Sequence, residues 1–491
     1  MRTTFRDLYC GNVNEDLIGK KIKLCGWIKR VRDLGGMIFF DLRDREGYVQ
    51  CVIQKKDSEI YEIAKNLKME DCVQIEGIVR EREEKNPKIK TGNVEVEVKN
   101  IKIFSKSKDL PFMIEDNINI FEETRLKYRF LDLRRNFMQR NIIFKHRLMQ
   151  IVREFLNKNG FIEIETPFLS KSTPEGARDF LVPSRLSPGK FYALPQSPQL
   201  YKQILMVSGF DRYYQIVRCF RDEDLRRDRQ PEFTQIDIEM SFVSEEDIFE
   251  VVEGLFKEIF DKLLGIPLKI PFPRIKYFDS IKKYGSDKPD LRVNWEIKDF
   301  TNLLKDKGIK IFEDAEVIYA LEIDRDISRK DIEKLNQFAI ENGGKGITYL
   351  KYKESLTGTV SKFLTPENLT KGNVYIIIGD KKERATFLLG KIREECIKIL
   401  NPEFKEKFSF LFITDFPLYV WDEEEKRWEP AHHPFTMPLN PSDIEKDPSE
   451  IIGRHYDLVL NGVEIGSGSI RNHDADLQKK ILKKLGYSDE E

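Results

Sequence analysis

The sequence has no run approaching the roughly 18 apolar residues that a membrane span needs. Its first residues, M-R-T-T-F-R-D-L-Y-C, lack the apolar stretch of a secretory leader, and none of its six cysteines forms a C-x-x-C pair. The first two absences exclude a spanning helix and an export signal, and read as a soluble, cytoplasmic chain with no membrane partner. The third excludes a disulfide framework and a cysteine zinc site: Cys10, Cys25, Cys51, Cys72, Cys219 and Cys396 are scattered, as buried thiols in a reducing compartment would be. Net charge of one sign is missing too. Lys+Arg number 83 against 84 for Asp+Glu, so any contact with nucleic acid must come from a local patch. Nor is there a β-α-β-α rhythm with a Gly-rich phosphate loop, which sets aside Rossmann and P-loop cores.

What is present is enough chain for three or four domains, 491 residues. From Lys20 to Phe104, short β-branched and aromatic runs such as K-I-K-L-C-G-W-I-K-R and M-I-F-F-D-L-R-D predict five strands, with one helix over Ser58–Leu67. That set suits a small closed barrel of the OB type. Lys29, Arg30, Arg32, Arg43 and Arg45 cluster there, either a solvated face or a nucleic-acid patch. An Arg-rich connector follows to Arg135. Phe144, Leu148, Ile151, Val152 and Phe155 predict a helix over Asn141–Asn159 capped by Gly160, and F-I-E-I-E-T-P-F-L predicts a strand into Pro167. A loop (172–179), a short helix (198–208) and two strands joined by a charged loop come next. Residues 293–407 change character to a Lys- and Ile-rich α/β segment, read as an insertion, before strands resume at F-S-F-L-F-I-T-D-F-P. The expected fold is therefore α+β and multidomain, with divisions at 1–105 (barrel), 106–135 (hinge), 136–292, 293–407 (inserted domain) and 408–491.

Four stretches carry chemistry. In the strand E-F-T-Q-I-D-I-E-M, Gln235, Asp237 and Glu239 share one face, fed by a loop holding Arg221, Arg226, Arg227 and Arg229 beside Asp222, Glu223, Asp224 and Asp228. Arginine at the mouth of a polar sheet face suits a phosphate, and Asp237 suits an ammonium group. In H-Y-D-L-V-L-N-G-V-E-I-G-S-G-S-I-R, Asn461-Gly462 predicts a two-residue hairpin turn that puts Val459 opposite Glu464, with Asp457 its same-face diagonal neighbour. Two carboxylates on one face suit Mg2+ bridging phosphate oxygens, or else are incidental acids on an exposed hairpin. Small residues then precede Arg471, a natural anchor for a carboxylate. T-P-E-G-A-R-D-F reads as a loop in which Glu175 could reach an ammonium group, and A-L-P-Q-S-P-Q-L-Y-K gathers Gln196, Ser197, Gln199 and Lys202 at a helix start, where Ser-Pro alone is ordinary capping. His432 and His433 in H-H-P-F-T read as substrate contact or packing rather than zinc.

Together these stretches resemble a known family. F-R-D-E-D-L-R-R-D-R-Q-P-E-F-T-Q-I-D is similar to motif 2 of class II aminoacyl-tRNA synthetases in its aspartate-specific form, and the helix and strand ending at Pro167 resemble motif 1, which builds the dimer interface of that class. T-P-E-G-A-R-D, A-L-P-Q-S-P-Q-L-Y-K, Y-G-S-D-K-P-D-L-R and H-H-P-F-T are similar to bacterial-type aspartyl-tRNA synthetases. The resemblance implies a class II antiparallel sheet flanked by helices, an OB-fold anticodon-binding barrel and a homodimer. It also implies ATP, Mg2+, L-aspartate and tRNA(Asp) as partners in forming aspartyl-adenylate and charging the tRNA.

By the same resemblance, Arg221 contacts the α-phosphate and the substrate carboxylate, with Asp222, Glu223 and Gln230 on the nucleotide and Phe233 stacked on adenine. Arg221 and Glu223 are the implied catalytic pair. Glu175, Ser197, Gln199 and Asp237 surround the amino acid, Lys202 and Arg471 pair with its side-chain carboxylate, and His432 closes over it. Asp457 and Glu464 hold Mg2+, Glu464 also serving the ATP site, and Arg30, Arg32, Phe39 and Gln50 meet the anticodon.

The family's motif 3, a Gly-rich strand and helix ending in an arginine for the γ-phosphate, has no match, and the chain reads as truncated ahead of it, with part of the catalytic sheet missing. A catalytically impaired form that only binds RNA and dimerises is one alternative, and an enzyme that also charges asparagine tRNA is another. Leu34 and the lack of a Gly-rich turn near Glu84 point to strict aspartate use. Ser467 stands where a glycine is common.

Overall fold

The computed structural model describes residues 2–172, 178–224 and 229–488. It divides into two compact units, Met1–Leu148 and Met149–Glu491.

The first unit is built on a closed barrel of β1 (Lys21–Asp33), β2 (Met37–Asp44), β3 (Gly47–Gln54), β4 (Cys72–Glu81) and β5 (Val94–Ser105), in the order β1-β2-β3-β5-β4. Helix α1 (Ser58–Lys65) links β3 to β4. Period-two alternation selects the interior: Ile22, Leu24 and Ile28 from β1 and Val73, Ile75 and Val79 from β4 are buried in one core. Gly77 sits at a register shift between β4 and β5, where a Cβ would lie 2.5 Å from the Glu97 carbonyl oxygen. Only glycine lets the two backbones close there.

Helix α2 (Asn136–Lys158) runs across the boundary between the units. Its Ile151, Val152 and Leu156 are buried, whereas Phe137, Ile142 and Phe144, near its start, are 41–55% exposed. The strand expected after it is only β6 (Ile162–Glu163), paired in parallel with Tyr213 and Tyr214. After α3 (Gln199–Val207), β7 (Arg212–Phe220) and β8 (Glu232–Met240) form a regular antiparallel pair, giving the sheet order β8-β7-β6. Helix α4 (Glu245–Leu264) starts at a Ser244/Asp247 capping box and stops at left-handed Gly265.

A second sheet has the order β9-β15-β16-β17, from β9 (Arg274–Lys276), β15 (Phe410–Thr414), β16 (His455–Leu460) and β17 (Val463–Ser469). Helix α4 packs on it, with Phe249 stacked on Phe412 at a centroid distance of 4.0 Å, and the segment after the helix adds Phe272, stacked on Phe410 at 4.6 Å. The antiparallel strands thus form two sheets, and β8 and β17 are edge strands that do not pair with each other. They wall a single cleft of about 1800 Å3.

Between β9 and β15 lie α5 (Tyr277–Tyr284) and an α/β layer of its own. Strands β10 (Ile297–Asp299), β11 (Val317–Ile323), β12 (Thr348–Tyr352), β13 (Leu356–Gly358) and β14 (Val374–Asp380) form a sheet of order β10-β11-β14-β12-β13. Helices α6 (Arg329–Glu341) and α7 (Lys382–Leu400) cover one face, contributing Leu335, Leu388 and Ile392 to a core with Ile376. Tyr375 and Ile377 face a second core with Phe300 and Phe312. Central β14 is buried on both faces, which is why V-Y-I-I-I reads as a continuous apolar run. Helix α8 (Ala475–Lys484) closes the described chain. No helix among the described residues is long and apolar enough to cross a membrane.

Candidate active site

The cleft gathers residues from β8, β17, α3 and the turns around them: Lys202, Arg221, Glu223, Gln230, Phe233, Asp237, Glu464 and Arg471 all line it. The β7–β8 ladder pairs Phe220 with Glu232 and Gln215 with Asp237, so Asp237 and Glu239 emerge on one face by strand period alone. On that face Lys202 Nζ donates to Asp237 Oδ1 at 2.7 Å and lies 3.4 Å from Glu239 Oε2. Arg471 Nε donates to Glu239 Oε1 at 3.2 Å, while its Nη2 donates to Gln199 Oε1 at 3.1 Å and its Nη1 to Ser469 Oγ at 2.6 Å. Burial pushes the Glu239 carboxyl up, but Lys202 and Arg471 outweigh it, and its pKa ends below the ordinary value. The result is a buried network of two cations and two carboxylates.

Three polar atoms are left over in and around it: Gln199 Nε2, Arg221 Nε and Asp237 Oδ2 are buried and have no hydrogen-bond partner among the described residues. A buried donor without a partner is costly unless a ligand supplies one. Arg221 lies over the Phe233 ring, 5.2 Å from its centroid, and Glu223 accepts from Arg229 Nη1 at 3.4 Å. Asp222 is exposed, its amide bonded to the Arg178 carbonyl at 3.0 Å. Ser197 precedes α3 and is half-buried. Glu175 lies outside the described residues.

The hairpin β16–β17 turns at Asn461 and Gly462, both with positive φ (52° and 81°), the conformation that an Asn-Gly turn supplies. Val459 faces Glu464 as the spacing predicts. A register shift then places Asp457 opposite Ser467 instead of Gly466, the position an unbroken ladder would give. Asp457 is 3% exposed and is met by histidine: His455 Nε2 lies 2.9 Å from Asp457 Oδ1, and the His432 ring stacks on His455 at 3.2 Å. Ligand atoms of His432, His455 and Asp457 lie within 4.8 Å of one another.

Burial raises the Asp457 pKa to about 6, against the pull of His432, while burial lowers His432 to about 4 and His455 to about 3, so both rings are neutral near pH 7. Glu464 opens into the cleft; the wall crowding its carboxyl, then the charge of Asp457, raise its pKa. Two carboxyls raised above the ordinary range chiefly by burial, one open to the cleft, fit a hard divalent cation such as Mg2+ shared with phosphate oxygens. Neutral imidazoles beside Asp457 add nitrogen donors that Mg2+ does not need.

The sequence reading missed Glu239 as a bridge between Lys202 and Arg471, and missed His455 altogether. Period two signals both: Glu239 stands two residues past Asp237, and His455 two before Asp457.

On the barrel, Arg32 and Phe39 are cross-strand partners, the guanidinium 5.9 Å from the ring centroid. Arg32 Nη2 donates to Gln50 Oε1 at 2.9 Å, and Gln50 Nε2 to Glu95 Oε2 at 2.6 Å. Arg30 is exposed beside them, so these four side chains share one patch.

Residues 121–491 match the model of the tRNA synthetases class II (D, K and N), and residues 22–104 match an OB-fold nucleic acid binding domain. The chain is 50% identical to the aspartate–tRNA(Asp/Asn) ligase of Aquifex aeolicus, over 99% of this chain and 86% of that protein. It is 49% identical to the protein of the same name from Caldanaerobacter subterraneus, over 98% and 85%. Its fold is similar to that of asparaginyl-tRNA synthetase from Pyrococcus horikoshii complexed with asparaginyl-adenylate, with a TM-score of 0.61 at 22% identity, covering 98% of this chain and 87% of that one. With a family model spanning three quarters of its length and relatives at half identity, the chain belongs to the class II tRNA synthetases of the D, K and N group.

Proposed function

We propose that this protein is an aspartate–tRNA ligase, which activates L-aspartate with ATP and passes it to the 3′ end of tRNA(Asp). The network at the amino-acid end of the cleft carries this reading. Lys202 and Arg471 already share Glu239, and a second carboxylate on the substrate completes their shells. Asp237 offers the opposite charge to the substrate ammonium. An amide in place of that carboxylate leaves both cations short of a partner, which is the source of selectivity over free asparagine.

In the reaction the aspartate α-carboxylate attacks the α-phosphorus of ATP in line, a P–O bond forms, and pyrophosphate leaves with the electron pair of the broken α–β bond. No side chain acts as nucleophile. Arg221, with its unpartnered Nε at the cleft, neutralises charge on the α-phosphoryl group, Phe233 offers a face to adenine, and Glu223 and Gln230 flank the nucleotide. Asp457 and Glu464 would hold Mg2+, which would supply charge neutralisation at the phosphates. His432, neutral and packed on His455, closes the amino-acid side. On the barrel, Phe39 stacks on an anticodon base while Arg30, Arg32 and Gln50 meet edges or phosphates. The exposed apolar start of α2 suits a homodimer.

A second reading concerns the tRNA. The relatives at 48–50% identity carry names specifying both Asp and Asn tRNA, which favours relaxed anticodon choice over the strict use that Leu34 suggests. The deciding measurement is aspartate-dependent pyrophosphate exchange followed by charging of tRNA(Asp) and tRNA(Asn) transcripts. Exchange driven by aspartate and not by asparagine is expected; absence of exchange with tRNA binding intact would sink the enzymatic reading.

A further inference from the structure

The turn from Gly285 to Arg292 stands beside the Asp457/Glu464 end of the cleft and carries charged residues with no role so far. It is held from every side. Gly285 leaves α5 with φ 66°, and a Cβ there would lie 2.4 Å from the Thr386 carbonyl oxygen and 2.7 Å from Gly390 Cα of α7. Ser280 Oγ donates to the Ser286 carbonyl at 2.7 Å, and the Lys288 amide donates to Ser286 Oγ at 3.1 Å. Arg292 brackets the Asp290 carboxylate through Nε and Nη2, and Arg393, 2% exposed, donates to the Asp290 carbonyl at 2.7 Å. The other side of the turn rests on the Asn461–Gly462 hairpin turn: a Cβ on Gly462 would lie 3.2 Å from Asp290 Cβ and 3.7 Å from the Lys288 carbonyl oxygen. The backbone of Lys288 is thereby fixed against the strand pair that carries Asp457 and Glu464.

Lys288 lines the cleft together with Glu464, Arg229 and Arg221. Its charge favours the ionised forms of Asp457 and Glu464, and Asp287 opposes it at both. Yet Lys288 forms no ion pair of 4.0 Å or less among the described residues. Lys202 and Arg471, at the other end, are both engaged with carboxylates. A compact ammonium on a fixed backbone, open to the cleft and without a close partner among the described residues, matches phosphate oxygens on a bound nucleotide.

We propose that Lys288 is a phosphate-contacting residue of the activation step, binding the β- and γ-phosphate oxygens of ATP and the pyrophosphate that leaves. The inference rests on the ATP reading of the cleft. As the α–β P–O bond breaks, the electron pair moves to the pyrophosphate oxygen, and the Lys288 ammonium offsets that charge without giving up a proton. A lysine serving only as counter-charge to Asp457 and Glu464 would do neither.

The test uses the full chain with Lys288→Met and Lys288→Arg, in calorimetric titration with magnesium pyrophosphate and in pyrophosphate exchange. Lys288→Met should weaken magnesium pyrophosphate binding and raise the KM for ATP and pyrophosphate, each by about tenfold or more, the loss of one charged hydrogen bond. The KM for aspartate should stay within about twofold, because Lys202 and Arg471 are untouched, and Lys288→Arg should recover most of the binding. Wild-type pyrophosphate affinity in Lys288→Met overturns the proposal. So does an equal rise in the aspartate KM that arginine fails to rescue, since that marks general damage. If the wild-type chain binds magnesium pyrophosphate but shows no aspartate-driven exchange, the ligase reading fails, while the titration of the variants still decides the lysine contact.

Discussion

The two ends of the cleft treat charge in opposite ways. At the end proposed for the amino acid, Lys202 and Arg471 meet Asp237 and Glu239 directly, and Glu239 is held below its ordinary pKa despite burial. At the end proposed for the phosphates, burial raises Asp457 to about 6, burial and then the charge of Asp457 raise Glu464, and Lys288 forms no ion pair with either among the described residues. A balanced network is rigid before substrate arrives and selects by geometry. An unbalanced one stores unfavourable charge that bound cation and phosphate relieve, so it selects by charge.

Breaking the balanced end should give the largest effect. Arg471→Leu removes one of two cations and leaves Glu239 half-paired; kcat/KM for aspartate in pyrophosphate exchange should fall about a thousandfold, roughly 4 kcal/mol, with tRNA binding unchanged. Lys202→Met strands two carboxylates that are each about 8% exposed. Urea denaturation should show a loss of about 3 kcal/mol, and adding Glu239→Gln should recover part of it, because the two residues are coupled.

The unbalanced end should answer to pH. Asp457 must be ionised to hold a cation, so apparent Mg2+ affinity should drop about tenfold per pH unit below about 6, and Asp457→Asn should abolish that dependence. The stability consequence has a defined sign. A carboxyl raised from 3.8 to about 6 takes up its proton more readily in the folded state, so its contribution to stability falls as pH rises across that window. His432 and His455, lowered from 6.5, act oppositely: their contribution is full above pH 6.5 and is lost as pH falls through about 4 and 3.

The smallest effect sharpens the comparison by leaving both ends alone. Phe39→Ala on the barrel should weaken tRNA binding by about 1–2 kcal/mol in a filter or anisotropy assay, with pyrophosphate exchange at the wild-type rate.

Much of the site was legible because strand periodicity is local. The shared face of Gln235, Asp237 and Glu239 follows from alternation, and the Asn461-Gly462 turn from the positive φ those two residues tolerate. The register shift after Glu464 was not legible, since a bulge depends on how two strands twist against their neighbours. Nor was the partnership of His432 with His455, which joins a loop to a strand. The strand expected up to Pro167 shrank to Ile162–Glu163, because β-propensity forms a strand only where a partner edge is available.

The sequence by itself determined the family, the barrel's alternating interior and the polar face of the motif 2 hairpin, all of which depend on residues near one another in the chain. Only the tertiary structure decided which charges neutralise each other. Lys202 and Arg471 are separated by more than 200 residues yet share one carboxylate, while Asp457 and Glu464 pair with no Lys or Arg among the described residues. Charge pairing in a cleft falls off over a few ångströms, and ångström distances between distant segments are set by packing, which no local pattern encodes.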